Sequence, residues 1–172
     1  MLFCGINPSL ISAATGHHFA RPGNRFWPTL HEAGFTRRRL APAEQRTLLV
    51  HGIGLTNLVA RATASAAELS PGELAAGRRR LEAKVRRLRP GVVAVLGIGA
   101  YRQGFGQARA VVGRQPEGLA GAALWVLPNP SGLNAHYQLR DLVALYRQLH
   151  DAAGDATLPG TFFKSSSNSP TT

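Results

Sequence analysis

Residues 70–99, SPGELAAGRRRLEAKVRRLRPGVVAVLGIG, predict a helix, then a buried strand, then a tight turn at the glycines that follow it. Ser70 is followed three residues later by Glu73, which is the capping-box spacing of a helix start. The helix is predicted to end before Pro90, because proline cannot continue it. The apolar run Val92–Leu96 is typical of a strand that is buried on both faces. The inward face of the helix is predicted to carry Leu74, Leu81, Val85 and Leu88.

The same alternation extends outward in both directions. Apolar strand patterns occur at residues 2–6 and 123–127, and helical patterns at 25–33, 42–50, 100–108 and 138–150. Strands that alternate with helices predict an α/β fold, here a three-layer α/β/α sandwich around a short, mostly parallel central sheet. Residues 1–153 are predicted to form one domain. The Ser-, Thr- and Pro-rich residues 154–172 are predicted to form a low-complexity tail.

The composition limits the classes of function. Among 172 residues, 20 Lys and Arg stand against nine Asp and Glu, a formal charge of +11 that attracts polyanions such as nucleic acid. An Arg-rich composition bias would explain the same charge, so the charge alone does not establish a nucleic-acid partner. Cys4 is the one cysteine, which excludes an internal disulfide and any cysteine-ligated zinc or iron–sulfur site within the chain. The sequence has neither a membrane-spanning apolar stretch nor a signal-peptide pattern, so we expect a cytoplasmic protein.

Two similar turns follow predicted buried strands. One is GINPSL at residues 5–10, and the other is PNPSGL at residues 128–133. A single Asn-Pro pair is most often an ordinary turn. In open α/β sheets, however, ligands bind outside the carboxyl ends of the strands, and both turns are expected at that edge. Two copies at matching strand ends therefore favour a binding site.

Other candidate features carry weaker signals. Gly97-Ile98-Gly99 lacks the third glycine and the acidic residue of a dinucleotide fingerprint, which argues against a Rossmann-like nucleotide enzyme. Residues 9–23 form a loop of the length that is often functional. Within it, His17 and His18 have no acidic or cysteine neighbour, and we interpret them as surface residues. Phe19 is either a stacking platform for a flat ring or a core plug. The basic face of residues 78–89 is interpreted as a solvated helix face.

Four blocks in order carry a family resemblance: GINP at 5–8, NRFW at 24–27, GLTNLV at 54–59 and PNPSGL at 128–133. Together they resemble the mismatch-specific branch of the uracil-DNA glycosylase superfamily, which also contains thymine-DNA glycosylase. The resemblance covers roughly residues 2–150. It implies a monofunctional DNA glycosylase of base excision repair that flips uracil opposite guanine out of double-stranded DNA and leaves an abasic site. Ethenocytosine and, more weakly, thymine are further substrates that the resemblance implies.

The resemblance also assigns roles to residues. It makes Asn7 the residue that positions the attacking water and Asn129 a second catalytic residue at the base or sugar. It makes Leu133 the side chain that fills the hole left by the flipped nucleotide. The substrate-binding residues it implies are Ile6, Ser12, Phe19, which stacks on the base, Asn24 and Asn57, and the DNA-binding residues are Ser131, Gly132, Leu133 and Asn134.

The resemblance implies neither a cofactor nor a metal. We expect a monomer that acts on double-stranded DNA with a uracil–guanine mismatch. We expect no strand cleavage, because no lysine is placed in the sequence pattern to form a Schiff base. The alternative function is a catalytically silent module that only binds mismatched DNA.

Overall fold

Strands and helices alternate along the chain, as the sequence predicts. The computed structural model describes residues 1–155. The strands are β1 (Leu2–Gly5), β2 (Gly54–Asn57), β3 (Val92–Leu96), β4 (Gly113–Arg114) and β5 (Ala123–Leu127). The helices are α1 (Leu10–Thr15), α2 (Phe26–Glu32), α3 (Pro71–Leu88), α4 (Ile98–Phe105) and α5 (Leu139–Asp155), with 3₁₀ segments at Pro42–His51 and Ala66–Glu68.

The five strands form one sheet in the order β2-β1-β3-β5-β4. All neighbouring pairs are parallel except β4 with β5. Helices α3 and α4 cover one face of the sheet, and α2 and α5 cover the other. The predicted three-layer α/β/α sandwich with a mostly parallel sheet is therefore confirmed.

Alternation along β1 distributes its side chains between two cores. Leu2 and Cys4 point into the core under α3 and α4, whereas Phe3 points into the core under α2 and α5. The Phe3 ring stacks on Tyr146 at 5.9 Å and meets Phe26 edge to face at 5.6 Å. Cys4 is fully buried, and this burial raises the pKa of its thiol to about 12. Cys4 is thus a core residue.

The capping pattern that opens α3 forms as predicted. The Ser70 hydroxyl accepts a hydrogen bond from Glu73 N, and the Glu73 carboxylate accepts one from Ser70 N. At the other end of the chain, α5 continues through residues 154 and 155, the first two of the segment that was predicted as a tail. Residues 156–172 lie outside the described residues.

Four local predictions differ from the structure. Leu88, which is predicted on the inward face of α3, is 57% exposed. The loop 9–23 contains the short helix α1, because the Ser9 hydroxyl caps it through Ser12 N. The pattern at 42–50 forms 3₁₀ turns rather than an α-helix. Strand β2 was not predicted, because its sequence GLTN is short and mixed, and it becomes a strand through pairing with β1. Within residues 1–155, none of the helices combines the length and the apolar character needed to cross a bilayer.

A close backbone approach sets the distance between α3 and the edge of the sheet. Gly77 lies on the buried side of α3, and a Cβ there would lie 2.6 Å from the carbonyl oxygen of Leu58, just after β2. Backbone atoms cannot yield as the end of a flexible side chain can. Gly77 is therefore what allows α3 to lie against the β2 end.

We expect Gly77→Ala to lower the free energy of unfolding by about 1–3 kcal/mol, because the clash with Leu58 outweighs the helix propensity of alanine. The matched control is Gly72→Ala in the first turn of α3, where the nearest atom to a new Cβ would be 3.9 Å away. That variant should be neutral or stabilise the protein by about 0.5–1 kcal/mol. Chemical denaturation measures both values, and equal effects would contradict the close-approach argument.

Candidate active site

A cavity of about 600 Å³ lies at the carboxyl ends of β1, β2 and β5. Its walls come from residues within 5–24, 56–66 and 129–134, together with Lys84 from α3. Because the connections after β1 and β3 pass to opposite faces of the sheet, this edge is the kind of crevice in which open α/β sheets bind ligands. The volume is that of a small-molecule site.

The structure brings ten of the eleven predicted site residues to this cavity. They are Ile6, Asn7, Ser12, Phe19, Asn24, Asn57, Asn129, Ser131, Leu133 and Asn134. Gly132 is not among the lining residues. It backs onto Gly23 instead, where a Cβ would lie 2.6 Å from the Gly23 carbonyl oxygen. Gly132 therefore lets the segment after β5 close against the segment that precedes α2.

The side chain of Asn7 is held by its nitrogen. Asn7 Nδ2 donates to the carbonyl oxygen of Arg61 at 2.9 Å and to Thr63 Oγ1 at 2.7 Å. The Thr63 hydroxyl donates its own proton to Ser65 O at 2.8 Å, so its oxygen is left to accept from Asn7. With both donors engaged, the Asn7 oxygen is the group that can accept a hydrogen bond from a water molecule.

The Arg61–Thr63 segment is anchored to α3. The Arg61 guanidinium forms a two-pronged ion pair with Glu73, at 2.8 and 3.0 Å. This pairing is the main reason that the pKa of Glu73 is lowered to about 2. In the same segment, the side chain of Thr63 is buried. Arg61 and Thr63 belong to no motif in the sequence, and their position four and six residues after Asn57 is the available signal that they lie near a strand end.

Phe19 and Asn57 meet over Gly5. A Cβ on Gly5 would lie 2.5 Å from Asn57 Oδ1 and 3.2 Å from the Phe19 ring. Phe19 has a left-handed backbone conformation, with φ of 55°. Its ring stacks on Phe26, with centroids 4.0 Å apart, and also lines the cavity. Phe19 therefore combines the two alternatives left open by the sequence, since it packs on the core and presents its ring to the cavity.

Ser12 and Asn24 have structural hydrogen bonds in addition to their place at the cavity. The Ser12 hydroxyl oxygen accepts from Ala20 N at 3.1 Å and thereby holds the turn that carries Phe19. The Asn24 side-chain oxygen accepts from Phe26 N at 2.9 Å, at the start of α2. Both side chains thus shape the wall formed by Phe19.

The residues that follow β1 and β5 are also tied locally. Asn129 Oδ1 accepts a hydrogen bond from Ser131 N at 3.1 Å, and Asn134 Nδ2 donates to Asn129 O at 2.9 Å. Ile6 packs across Gly97, where a Cβ would lie 2.8 Å from Ile6 Cδ1. Ile6 therefore forms part of the apolar floor between the two Asn-Pro turns.

One arginine holds the segment 131–137 in place. The Arg25 guanidinium donates to the carbonyl oxygens of Ser131 at 2.6 Å, Asn134 at 2.9 Å and Tyr137 at 2.5 Å. Leu133 lies within this segment, and its side chain is 66% exposed. An exposed leucine on a segment fixed by three charge-assisted hydrogen bonds is a rigid apolar projection beside the cavity.

Cationic and imidazole side chains also line the cavity. His17 and His18, which the sequence suggests are surface residues, are half-buried and line the cavity. Gln45 contacts both residues, by accepting from His18 N at 2.8 Å and by approaching the His17 ring at 3.5 Å. Burial, and after it the charge of Lys84, lowers the pKa of His18, so that its ring is neutral near pH 7. Arg21 lines the cavity as well.

The structure corrects two expectations about Lys84. The sequence pattern put it on the solvated face of α3, and no lysine was expected near the site. Lys84 instead lines the cavity, where its ammonium group donates to Thr56 Oγ1 at 2.5 Å. Its position three residues after Leu81, beside the apolar stripe of α3, was the available signal.

The described part of the cavity wall contains no aspartate or glutamate. Among residues 1–155, no group of three or more His, Cys, Asp or Glu side chains is arranged to hold a metal ion. The arrangement offers amide oxygens that can orient water, an aromatic ring, two imidazoles, one guanidinium and one ammonium group.

Comparison with protein-family models matches residues 1–150 to the family described as the Uracil DNA glycosylase superfamily. The match covers all five strands and most of α5, and it includes every segment that lines the cavity.

Replacing Arg25 by Met should loosen the segment 131–137, because its three carbonyl oxygens lose their common donor. We expect amide hydrogen exchange in this segment to accelerate at least about tenfold, while exchange in the strands stays unchanged. The matched control is Arg140→Met, since the Arg140 side chain is 88% exposed. Unchanged exchange in 131–137 would mean that Arg25 does not hold this segment.

Proposed function

The chain belongs to the uracil DNA glycosylase superfamily, and from that premise we propose that it is a monofunctional glycosylase specific for uracil opposite guanine. Members of this superfamily are DNA glycosylases, which hydrolyse the N-glycosidic bond between a base and its deoxyribose. The finer proposal concerns the substrate, a uracil–guanine mismatch in double-stranded DNA, and the product, an abasic site. Ethenocytosine and thymine opposite guanine are proposed as weaker substrates.

The observation that carries the proposal is the fixed orientation of Asn7. Its Nδ2 is engaged by Arg61 O and Thr63 Oγ1, so its oxygen is available to a water molecule. An amide oxygen orients water but cannot take its proton near neutrality. Since no carboxylate lines the described cavity, the reaction must depend on bond breaking to the base more than on activation of the water. Slow catalysis that favours good leaving groups is the expected result.

The cavity and the projection beside it support base flipping. A base inside a duplex cannot be attacked, so it must leave the stack at a cost of a few kcal/mol, which is lowest at a mismatch. Leu133 can fill the hole that remains, because it is an exposed apolar side chain on a fixed segment. Phe19 offers a ring against which the flipped base can stack.

The proposal includes a monomer that works on DNA in the cytoplasm. The formal charge of +11 favours association with the phosphate backbone.

The first test is single-turnover cleavage of duplexes with uracil opposite guanine or adenine and of single-stranded uracil DNA. We expect alkali-revealed breaks mainly with the mismatch, and a rate about 100-fold lower for Asn7→Ala, the size of losing a positioned transition-state group. Leu133→Ala should lower the rate on duplexes more than on single strands. Equal rates on all three substrates would sink guanine recognition, and tight mismatch binding without any cleavage would favour the silent binding module.

A second prediction tests the fixing of Asn7. Thr63→Val keeps the shape of the buried side chain but removes the acceptor for Asn7 Nδ2. We expect kcat to fall about tenfold with little change in KM, which corresponds to about one hydrogen bond realised in the transition state. Thr63→Ser keeps the hydroxyl and should retain most of the activity. A loss in KM alone would contradict this role.

A further inference from the structure

Lys84 is a cation on α3 whose side chain lines the cavity at the end of the sheet. It lies seven residues after Gly77, so the two share a face of α3. The close approach of Gly77 to Leu58 brings this face to the end of β2. There, Lys84 Nζ donates to Thr56 Oγ1 at 2.5 Å, and Thr56 directly precedes Asn57, the last residue of the strand.

The charge of Lys84 is not neutralised by a carboxylate. Within residues 1–155 it forms no ion pair, in contrast to Arg61 and Arg86, which pair with Glu73 and Glu82. Lys84 is only half-buried, but its charge acts at His18 on the cavity wall. The pKa of His18 is lowered mainly by burial and, as the second cause, by the charge of Lys84. A half-buried cation on a cavity wall without acidic neighbours acts more strongly than one of the exposed arginines of α3.

The proposed reaction creates a negative charge in this cavity. When the C1′–N1 bond breaks, its electron pair stays with the pyrimidine and spreads over the ring nitrogen and the two carbonyl oxygens. The oxygen of water forms the new bond to C1′, and its proton passes to solvent. Asn7 and Asn57 carry no charge, and the lowered pKa of His18 leaves that ring neutral near pH 7. Two cations, Arg21 and Lys84, line the described cavity, and Lys84 is the one that is held there by a strand residue.

We propose that the ammonium group of Lys84 stabilises the departing pyrimidine anion and that this is its contribution to the reaction. This inference rests on the proposed function, because it concerns the leaving group of base excision. A Lys84 that acts on the leaving group must matter more when the base leaves poorly than when it leaves well. Structural support for the fold would affect both kinds of base equally.

The test compares uracil with 5-fluorouracil, each opposite guanine in the same duplex, under single-turnover conditions. Fluorine withdraws electrons and makes the base a better leaving group. We expect Lys84→Met to slow uracil excision at least about 30-fold and 5-fluorouracil excision only about threefold. The ratio of the 5-fluorouracil rate to the uracil rate should therefore rise about tenfold. Lys84→Arg keeps the charge and should retain a ratio within about threefold of the wild type.

Two further variants serve as controls. Arg79→Met removes one positive charge from the exposed part of the same helix and should leave both rates unchanged. Thr56→Val removes the hydroxyl that holds Nζ but keeps a β-branched residue in β2, so it should shift the ratio in the same direction by a smaller factor. Thr56→Val also provides a test if Lys84→Met does not fold.

Each remaining outcome is decisive. Equal losses on both bases, or no loss, would overturn the assignment and leave Lys84 as a structural residue. Covalent trapping of wild-type protein on DNA by borohydride, absent in Lys84→Met, would overturn it in favour of a Schiff-base nucleophile. A wild-type protein that excises neither base would refute the proposed function and with it the role of Lys84, whereas activity with an unchanged ratio would refute the role of Lys84 alone.

Discussion

The parallel pairing of β1 with β2 is the interaction on which the site depends. It places Cys4 opposite Thr56 and Gly5 opposite Asn57. The ladder continues beyond the strand ends, since Leu58 N donates to Gly5 O and Val59 N donates to Ile6 O, both at 2.9 Å. The following residues of both segments are thereby kept side by side. Asn7 meets its two acceptors because the backbones have already been aligned.

Gly5 and Gly77 extend this constraint to the side chains. Without a Cβ at Gly5, Asn57 and Phe19 can close over the end of β1. Without a Cβ at Gly77, α3 approaches β2 closely enough for Lys84 to reach Thr56. Both glycines are required by the distance to neighbouring atoms and not by a special backbone angle. Gly5 therefore allows Asn57 and Phe19 to form the neutral part of the cavity wall, and Gly77 allows Lys84 to form part of its cationic side.

The electrostatics of the cavity follow from what surrounds it. Carboxylates near this edge are used in ion pairs at the surface, as Glu73 is with Arg61, and do not line the described cavity. The wall is left with amides, a neutral imidazole and cations. Such a site suits a reaction in which negative charge develops on the leaving group, and it gives little help to a proton transfer from water. On the outer side, the two terminal nitrogens of Arg25 donate to backbone carbonyls and so fix the segment around Leu133.

The sequence by itself determined the layered fold and the edge at which the site lies. The capping box of α3 and the apolar runs of β3 and β5 are local patterns, and each forms as the pattern predicts. Residues of both Asn-Pro segments line the cavity at that edge. Only the tertiary structure decided the rest. Strand β2 exists because β1 offers it hydrogen bonds, and Thr63 and Lys84 enter the site because a strand pairing and a helix approach bring them there. Periodicity places a residue on a face of its own element, whereas the neighbour that this face meets depends on contacts between segments distant in the chain.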